Sequence, residues 1–177
     1  MLTHDQEKWI AHLADDDRVA IQPLDPNAGR IFEQVKARIQ AACGSHLPVL
    51  HRGATSLGIS GQDEIDVYCP VPEAEFVRWL PTLSAVFGPP RSHYPLERAR
   101  FVTYEEGKHI DIFLINAACQ GWLDGNEFDA YLRSHPDTLD QYRLLKESGD
   151  GLSTREYYRR KTAFINSILA LTRSSCA

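Results

Sequence analysis

A run of small residues that leads into two acidic residues constrains this chain more than any other feature. Residues Gly53–Ser56 contain glycine, alanine and two hydroxyl side chains, and Glu64 and Asp66 follow in a stretch typical of a strand. Because side chains alternate along a strand, the two acids share one face, about 7 Å apart. A loop of small residues can bring backbone N–H groups close to a phosphate. Acids beside such a loop can hold a divalent cation that bridges the phosphate oxygens, so the stretch predicts a phosphate and metal site.

A third acid, Asp111, lies inside the otherwise apolar stretch His109–Ile115. A buried charge is costly without a partner, so this placement favours a function. Three carboxylates on adjacent strands can hold two cations about 3.5–4 Å apart, as in-line phosphoryl transfer requires. We therefore predict that Glu64 and Asp66 bind the cation on the nucleotide side, and that Asp111 completes a second site and can accept a proton. The competing interpretation is that the three acids face solvent without a ligand.

The order of the predicted elements indicates an α/β (α+β) fold with a mixed sheet. Helices are predicted at residues 5–13, from Asn27 onward and at 73–86, and strands at 48–51, 64–69, 100–104 and 109–115. Residues 19–24 are predicted to be an edge strand or an extended arm. Glu106-Gly107 predicts a hairpin turn between the last two strands. Residues 127–171 are predicted to be helical, with breaks at His135-Pro136 and at 149–151.

Size and charge narrow the classes of function. A chain of 177 residues with 43% hydrophobic content can form one core of ordinary size. The net charge of -5 argues against a broad positive surface for nucleic acid, although it does not exclude a nucleotide. No apolar run approaches the roughly 20 residues that span a bilayer, and the N-terminus lacks the features of a signal peptide. The cysteines form no Cys-x-x-Cys pair, so we expect a cytoplasmic protein with reduced thiols at Cys43, Cys69, Cys119 and Cys176.

The motifs, taken in order, resemble a known family. The C-terminal half adds a series of helical motifs to the Gly53–Ser56 run and the acid pair: Phe128-Asp129-Ala130-Tyr131-Leu132, His135-Pro136, Tyr142, Leu145-Lys146, Tyr158, Lys161 and Phe164-Ile165. The run and the pair resemble the signature of the DNA polymerase beta-like nucleotidyltransferase superfamily. The whole order, from about residue 19 to 171, is similar to the GrpB family. The resemblance implies a nucleotidyltransferase fold in a single domain over 1–177, with an α/β core at about 19–122 and a C-terminal helical segment at about 123–172.

The resemblance also implies an activity and a set of site residues. The implied activity is transfer of a nucleotidyl group from a nucleoside triphosphate such as ATP, with Mg²⁺ or Mn²⁺, to an acceptor that the resemblance does not identify. The acidic net charge favours a small-molecule or protein acceptor over a long nucleic acid. Catalysis and metal binding fall on three acids, namely Glu64, Asp66 and Asp111. Nucleotide and phosphate binding fall on Arg52, Gly53, Ala54, Thr55, Ser56 and Lys161. Ala54 departs from the usual serine, and Ser56 could supply the missing hydroxyl.

Two other classes of function stay open. One is a nucleotide-binding or regulatory module without turnover, and the other is a structural or partner-binding domain with a vestigial site. Metal-dependent nucleotide affinity separates the first two classes from the third, and pyrophosphate release separates the enzyme from the silent module. His51 and His109 adjoin the motifs, but a histidine on a strand is more typical of a hydrogen-bonded structural residue. Three large aromatic residues are expected in the core, namely Trp79, Phe113 and Trp122.

Overall fold

The computed structural model describes residues 1–174, which form two compact units. The sheet unit comprises Pro23–Ile59 and Asp63–Leu123, and the helical unit comprises Met1–Gln22, Ser60–Gln62 and the chain from Asp124 on. No helix within residues 1–174 is long and apolar enough to cross a bilayer. All three predicted catalytic acids belong to the sheet unit.

Helices and strands are interspersed through the first two thirds of the chain, and helices follow. The strands are β1 (Leu50–Arg52), β2 (Glu64–Val71), β3 (Ser92–Tyr94), β4 (Arg98–Glu105) and β5 (Lys108–Asn116). The helices are α1 (His4–Ala11), α2 (Ala28–Cys43), α3 (Gly53–Leu57), α4 (Glu73–Phe87), α5 (Gln120–Ser134), α6 (Pro136–Glu147) and α7 (Thr154–Ser174). The predicted mixed α+β fold with a C-terminal helical segment is confirmed.

The sheet unit is built on one five-stranded sheet in the order β1-β2-β5-β4-β3. The central pair, β2 and β5, is parallel, and every other neighbouring pair is antiparallel. Because β2 carries the first two acids and β5 carries the third, the topology places the acid-bearing strands side by side.

One face of the sheet packs against α2 and α4 and forms the core. The residues at four-residue spacing on α2 are buried as predicted, namely Ile31, Val35 and Ile39. They share this core with alternate residues of β2, Ile65 and Val67 among them. Alternation then leaves Glu64 and Asp66 on the opposite face of the sheet. We call this opposite face the acid face.

A two-residue turn joins β4 to β5 and sets their register. Glu105 pairs with Lys108, and both residues of the turn have positive φ, 50° at Glu106 and 81° at Gly107. Two consecutive residues with positive φ form a two-residue turn whose twist matches that of the two hairpin strands. The predicted hairpin is confirmed, and its register places Val102 opposite Asp111.

Several local features differ from the prediction, among them the first C-terminal helix, which begins at Gln120 rather than at residue 127. Gly53–Leu57 forms the short helix α3 rather than a loop. Strand β2 continues through Pro70 to Val71 instead of ending there. Strand β1 pairs with β2 only as far as Tyr68, so the β1 edge of β2 has no partner strand at Pro70. Proline is tolerated there because no strand on that edge needs its missing N–H. Strand β3 has only three residues, too few to produce an alternating pattern in the sequence.

The helical unit is held together by aromatic and polar contacts between its helices. The ring of Phe128 lies 5.2 Å from that of Tyr142, which lies 5.5 Å from that of Phe164. Asn166 of α7 donates a hydrogen bond to Gln6 of α1. The predicted breaks are observed between α5 and α6 and between α6 and α7.

The cysteines of the sheet unit are free thiols. Cys43 and Cys69 are buried in the core, and Cys119 is partly exposed. Burial raises the pKa of the Cys69 thiol to about 12, with a smaller contribution from Cys43. Cys176 lies outside the described residues.

Candidate metal and phosphate site

The acid face carries the predicted acids in two adjacent rows. Asp66 of β2 lies beside Asp111 of β5, and Glu64 lies beside His109 in the row before. Arg52 of β1 is the cross-strand neighbour of Asp66 on the other side. The strand register alone therefore gathers three carboxylates, an imidazole and a guanidinium on one patch of the sheet.

Asp111 is almost fully buried and has ionic partners. Its side chain is 7% exposed, and Arg100 donates one hydrogen bond to each of its oxygens, at 2.9 and 2.8 Å. The Nε2 atom of His109 lies 3.0 Å from Asp111 Oδ1. A carboxylate offers about four lone-pair sites, so these contacts leave one site on Oδ2 for a further ligand. The cost of burying this acid is thus offset by Arg100 and His109.

The structure brings two of the three predicted acids together with a histidine. Glu64, His109 and Asp111 each offer a ligand atom, and these atoms all lie within 4.8 Å of one another. Asp66 is on the same face but is not a member of this group in the described part of the chain. The roles of Glu64, Asp66 and Asp111 as ligands stay predictions.

The backbone of Gly53 lies close against the side chain of Asp66. Its φ is +72°, and a Cβ placed on it would lie 1.9 Å from Asp66 Oδ2 and 2.9 Å from its Cγ. No side chain fits that space while Asp66 keeps its position. This contact explains why position 53, the first of the small-residue run, is a glycine. Gly53 also begins α3.

The hydroxyl groups of α3 have partners inside the sheet unit. Thr55 Oγ1 lies 2.9 Å from His51 Nε2, and Ser56 Oγ donates a 3.0 Å hydrogen bond to the carbonyl of Gly53. Ala54 has no hydroxyl to contribute. The roles of Ala54, Thr55 and Ser56 in phosphate binding stay predictions, whereas the structural role predicted for His51 agrees with its contact.

A set of aromatic rings adjoins the acids. Tyr68 stacks on Phe113, with ring centroids 4.5 Å apart, and on Trp122, at 5.6 Å. The guanidinium carbon of Arg52 lies 5.3 Å from the centre of the Trp122 ring. Phe113 and Trp122 are buried as predicted, but neither belongs to the core between the sheet and its helices. These rings instead support the arginine that precedes Gly53.

Lys161 lies on α7 in the helical unit. Its Nζ is 5.2 Å from the centre of the Tyr158 ring, which in turn contacts Trp9 edge to face at 5.4 Å. These contacts explain the packing of Tyr158. The predicted role of Lys161 in nucleotide binding stays a prediction.

Sequence reasoning missed Arg100, the partner of Asp111. A signal for it exists, because the Glu106-Gly107 turn fixes Val102 opposite Asp111. Arg100 is two residues from Val102, hence on the same face and diagonal to Asp111. The buried neighbours Ala99 and Phe101 point to the core and leave Arg100 on the acid face. Hairpin register combined with alternation would have found this pair.

Comparisons with known proteins agree with the fold. The crystal structure of the conserved protein GrpB from Enterococcus faecalis matches with a TM-score of 0.65 and 19% sequence identity, over 84% of this chain and 93% of that chain. At this identity the likeness shows the fold alone. No curated protein matches the chain. The model of the GrpB protein family matches residues 18–171, which is well over half of the sequence. The chain therefore belongs to the GrpB family.

Proposed function

We propose that this GrpB protein is a metal-dependent nucleotidyltransferase, which moves a nucleotidyl group from a nucleoside triphosphate to a small-molecule or protein acceptor. The observation that carries the proposal is the row formed by Asp66 and Asp111 on neighbouring parallel strands, with Glu64 on the same face and Gly53 against Asp66. This patch combines acidic ligands with a backbone segment that lacks a side chain. Metal-dependent nucleotidyl transfer needs cation-binding carboxylates at the place where the phosphates bind.

The donor set fits a divalent cation such as Mg²⁺ or Mn²⁺. Carboxylate oxygens are the ligands that Mg²⁺ prefers, and Glu64, Asp66 and Asp111 would hold it. When bound, the cation would neutralise phosphate charge and orient the phosphate oxygens. Asp111 retains one lone-pair site on Oδ2 beside its contacts with Arg100 and His109, so it can accept either a cation or a proton there.

The residues around Gly53 would orient the triphosphate. Because Gly53 has no Cβ, the start of α3 lies directly against the Asp66 carboxylate, which would keep the proposed phosphate-binding run beside a proposed cation ligand. Arg52 adds a positive charge next to it, and its contact with Trp122 restricts the positions of the guanidinium. A fixed guanidinium recognises phosphate oxygens in pairs, which favours one orientation of the nucleotide.

A second candidate function is a nucleotide-binding or regulatory module without turnover. The ion pair between Arg100 and Asp111 favours it, because an acid that is already neutralised by a guanidinium holds a cation less strongly. Ala54 favours it as well, since it removes a hydroxyl from the phosphate-binding run. A structural domain with a vestigial site is the third candidate.

Pyrophosphate release tests the proposal. The protein is incubated with each nucleoside triphosphate, Mg²⁺ and small-molecule or protein fractions as acceptors, and release is compared with that of Asp111→Asn and Asp63→Asn. Asp63 is a matched control, because it is a neighbouring acid that pairs with Lys108 and lies outside the patch. We expect release by the wild type and Asp63→Asn and at least a hundredfold loss in Asp111→Asn, as for removal of an essential catalytic group. Nucleotide binding without release would favour the silent module, and absence of both would refute the proposal.

A further inference from the structure

His109 lies where a metal ligand would lie. Its Cα is the cross-strand neighbour of Glu64, and its ligand atom is within 4.8 Å of those of Glu64 and Asp111. Its side chain is 33% exposed, so a cation from solvent can reach it, whereas that of Asp111 is only 7% exposed. The group therefore combines one buried acid with two accessible ligands.

The spacing of His109 and Asp111 fits a proton or a cation equally well. Nε2 and Oδ1 are 3.0 Å apart, a hydrogen-bond distance. Adjacent ligands of an octahedral cation with bonds of about 2.1 Å are also about 3.0 Å apart. A proton between the two groups can thus hold the ligands in position, and a cation that binds both would displace it.

We propose that Glu64, His109 and Asp111 form a binding site for a first-row transition cation such as Mn²⁺ or Zn²⁺, in preference to Mg²⁺. The preference comes from the imidazole, since nitrogen ligands suit transition cations, whereas Mg²⁺ favours oxygen ligands and retains its water. The inference rests on the proposed function for its biological role. Metal binding itself is tested in the absence of nucleotide.

Arg100 lowers the affinity of this site for every cation. Its guanidinium lies 2.8 Å from Asp111 Oδ2, so it competes for the carboxylate and repels positive charge. The opposition is similar for Mn²⁺ and Mg²⁺, which carry equal charge. The preference between the two cations therefore reports the nitrogen ligand rather than the electrostatics of the patch.

Binding of Mn²⁺ alone tests the proposal. Free Mn²⁺ is measured by electron paramagnetic resonance as the full-length protein is titrated, with Mg²⁺ as competitor. We expect one Mn²⁺ per chain, at least about tenfold tighter than Mg²⁺, and a tenfold or greater loss of Mn²⁺ affinity in His109→Ala with little change for Mg²⁺. His93→Ala is the matched control, because His93 is an exposed histidine on β3 whose ring stacks on Phe76 instead.

Nitrogen hyperfine coupling gives a second readout that does not depend on the fold of a variant. We expect electron spin echo spectra of the Mn²⁺-bound wild type to show coupling to an imidazole nitrogen. Absence of Mn²⁺ binding, Mn²⁺ bound without this coupling, or equal affinity in His109→Ala would each overturn the proposal. Mn²⁺ binding with nitrogen coupling but no affinity for nucleotide would support the metal site and refute the proposed transferase activity.

Discussion

The carboxylate of Asp66 occupies the space where a side chain on Gly53 would have to lie, with only 1.9 Å between Oδ2 and a Cβ built on the glycine. The segment proposed to bind phosphate and an acid proposed to bind metal are thus in contact. The contact couples the position of Asp66 to the backbone of α3. The loss of folding stability caused by a side chain at position 53 can be measured.

Gly53→Ala is expected to destabilise the protein more than Gly58→Ala does. Both glycines have positive φ, +72° and +74°, but a Cβ on Gly58 would meet nothing within 4 Å. Backbone strain alone should cost about 1–2 kcal/mol at each position. Overlap with Asp66 should add about 1–3 kcal/mol at Gly53. Chemical denaturation of the two variants measures the difference, and equal losses would contradict the contact.

Most of this overlap should be relieved when Asp66 is shortened. In an Asp66→Ala background, the cost of Gly53→Ala is expected to fall towards that of Gly58→Ala, because Oδ2 and Cγ are gone and only the Cβ of residue 66 remains, 3.2 Å away. A double-mutant cycle isolates this coupling from the strain. Full additivity of Gly53→Ala and Asp66→Ala would show that the two residues do not compete for space.

Arg100→Met is expected to destabilise the protein by about 2–3 kcal/mol, because it leaves the buried carboxylate of Asp111 without its main counter-ion. The matched control is Arg30→Met, which removes an equally bidentate pair with Glu106. That pair is about half exposed on both sides, so solvent replaces it and its loss should be much smaller. Urea denaturation at neutral pH makes the comparison. Similar losses for the two variants would mean that burial of Asp111 is not what makes its partner necessary.

Prediction from the sequence succeeded where one strong local signal decided the outcome. Alternation placed Glu64 and Asp66 on one face, and the glycine of the Glu106-Gly107 turn marked the hairpin. It failed where a long-range contact decided, as at Pro70, which stays in β2 because β1 is short.

In the candidate site as well, features set by local sequence could be predicted, whereas those set by long-range contacts could not. The acids were found as a pattern, but the partners of Asp111 depend on the register of three strands. A histidine on a strand is typical of a structural residue, and the sequence around His109 does not reveal its cross-strand neighbours. Its place beside Glu64 follows only from the parallel pairing of β2 with β5.

The hairpin turn should contribute stability that is lost in acid. Hydrogen bonds from Arg30 and then Gln34 lower the pKa of Glu106 from 4.5 to about 2. Because the folded-state pKa is depressed, the pair stabilises the fold above the unfolded pKa and loses this effect as the pH falls from about 4.5 to about 2. The difference in unfolding free energy between wild type and Glu106→Gln should therefore shrink over that range. A difference that stays constant down to pH 2 would contradict the ion pair.

Alkylation should distinguish the cysteines. The Cys69 thiol is buried and its pKa is raised to about 12, so it has almost no reactive thiolate in the native state. Cys119 is partly exposed and should react with iodoacetamide at neutral pH before the buried Cys43 and Cys69 do. Peptide mass mapping after short exposure, with and without denaturant, follows each site. Labelling of Cys69 as fast as Cys119 in the native protein would contradict its place in the core.

The most direct test of the central claim is calorimetric titration of the four nucleoside triphosphates, with and without Mg²⁺, into wild type, Asp66→Asn and Asp63→Asn. Asp63 is adjacent in sequence, but its carboxylate pairs with Lys108, and its positive φ of 62° suits asparagine. We expect Mg²⁺-dependent binding of at least one nucleotide, retained by Asp63→Asn and lost by Asp66→Asn. No binding of any nucleotide to the wild type, or equal binding to Asp66→Asn, would contradict the claim that the acid face is a nucleotide site.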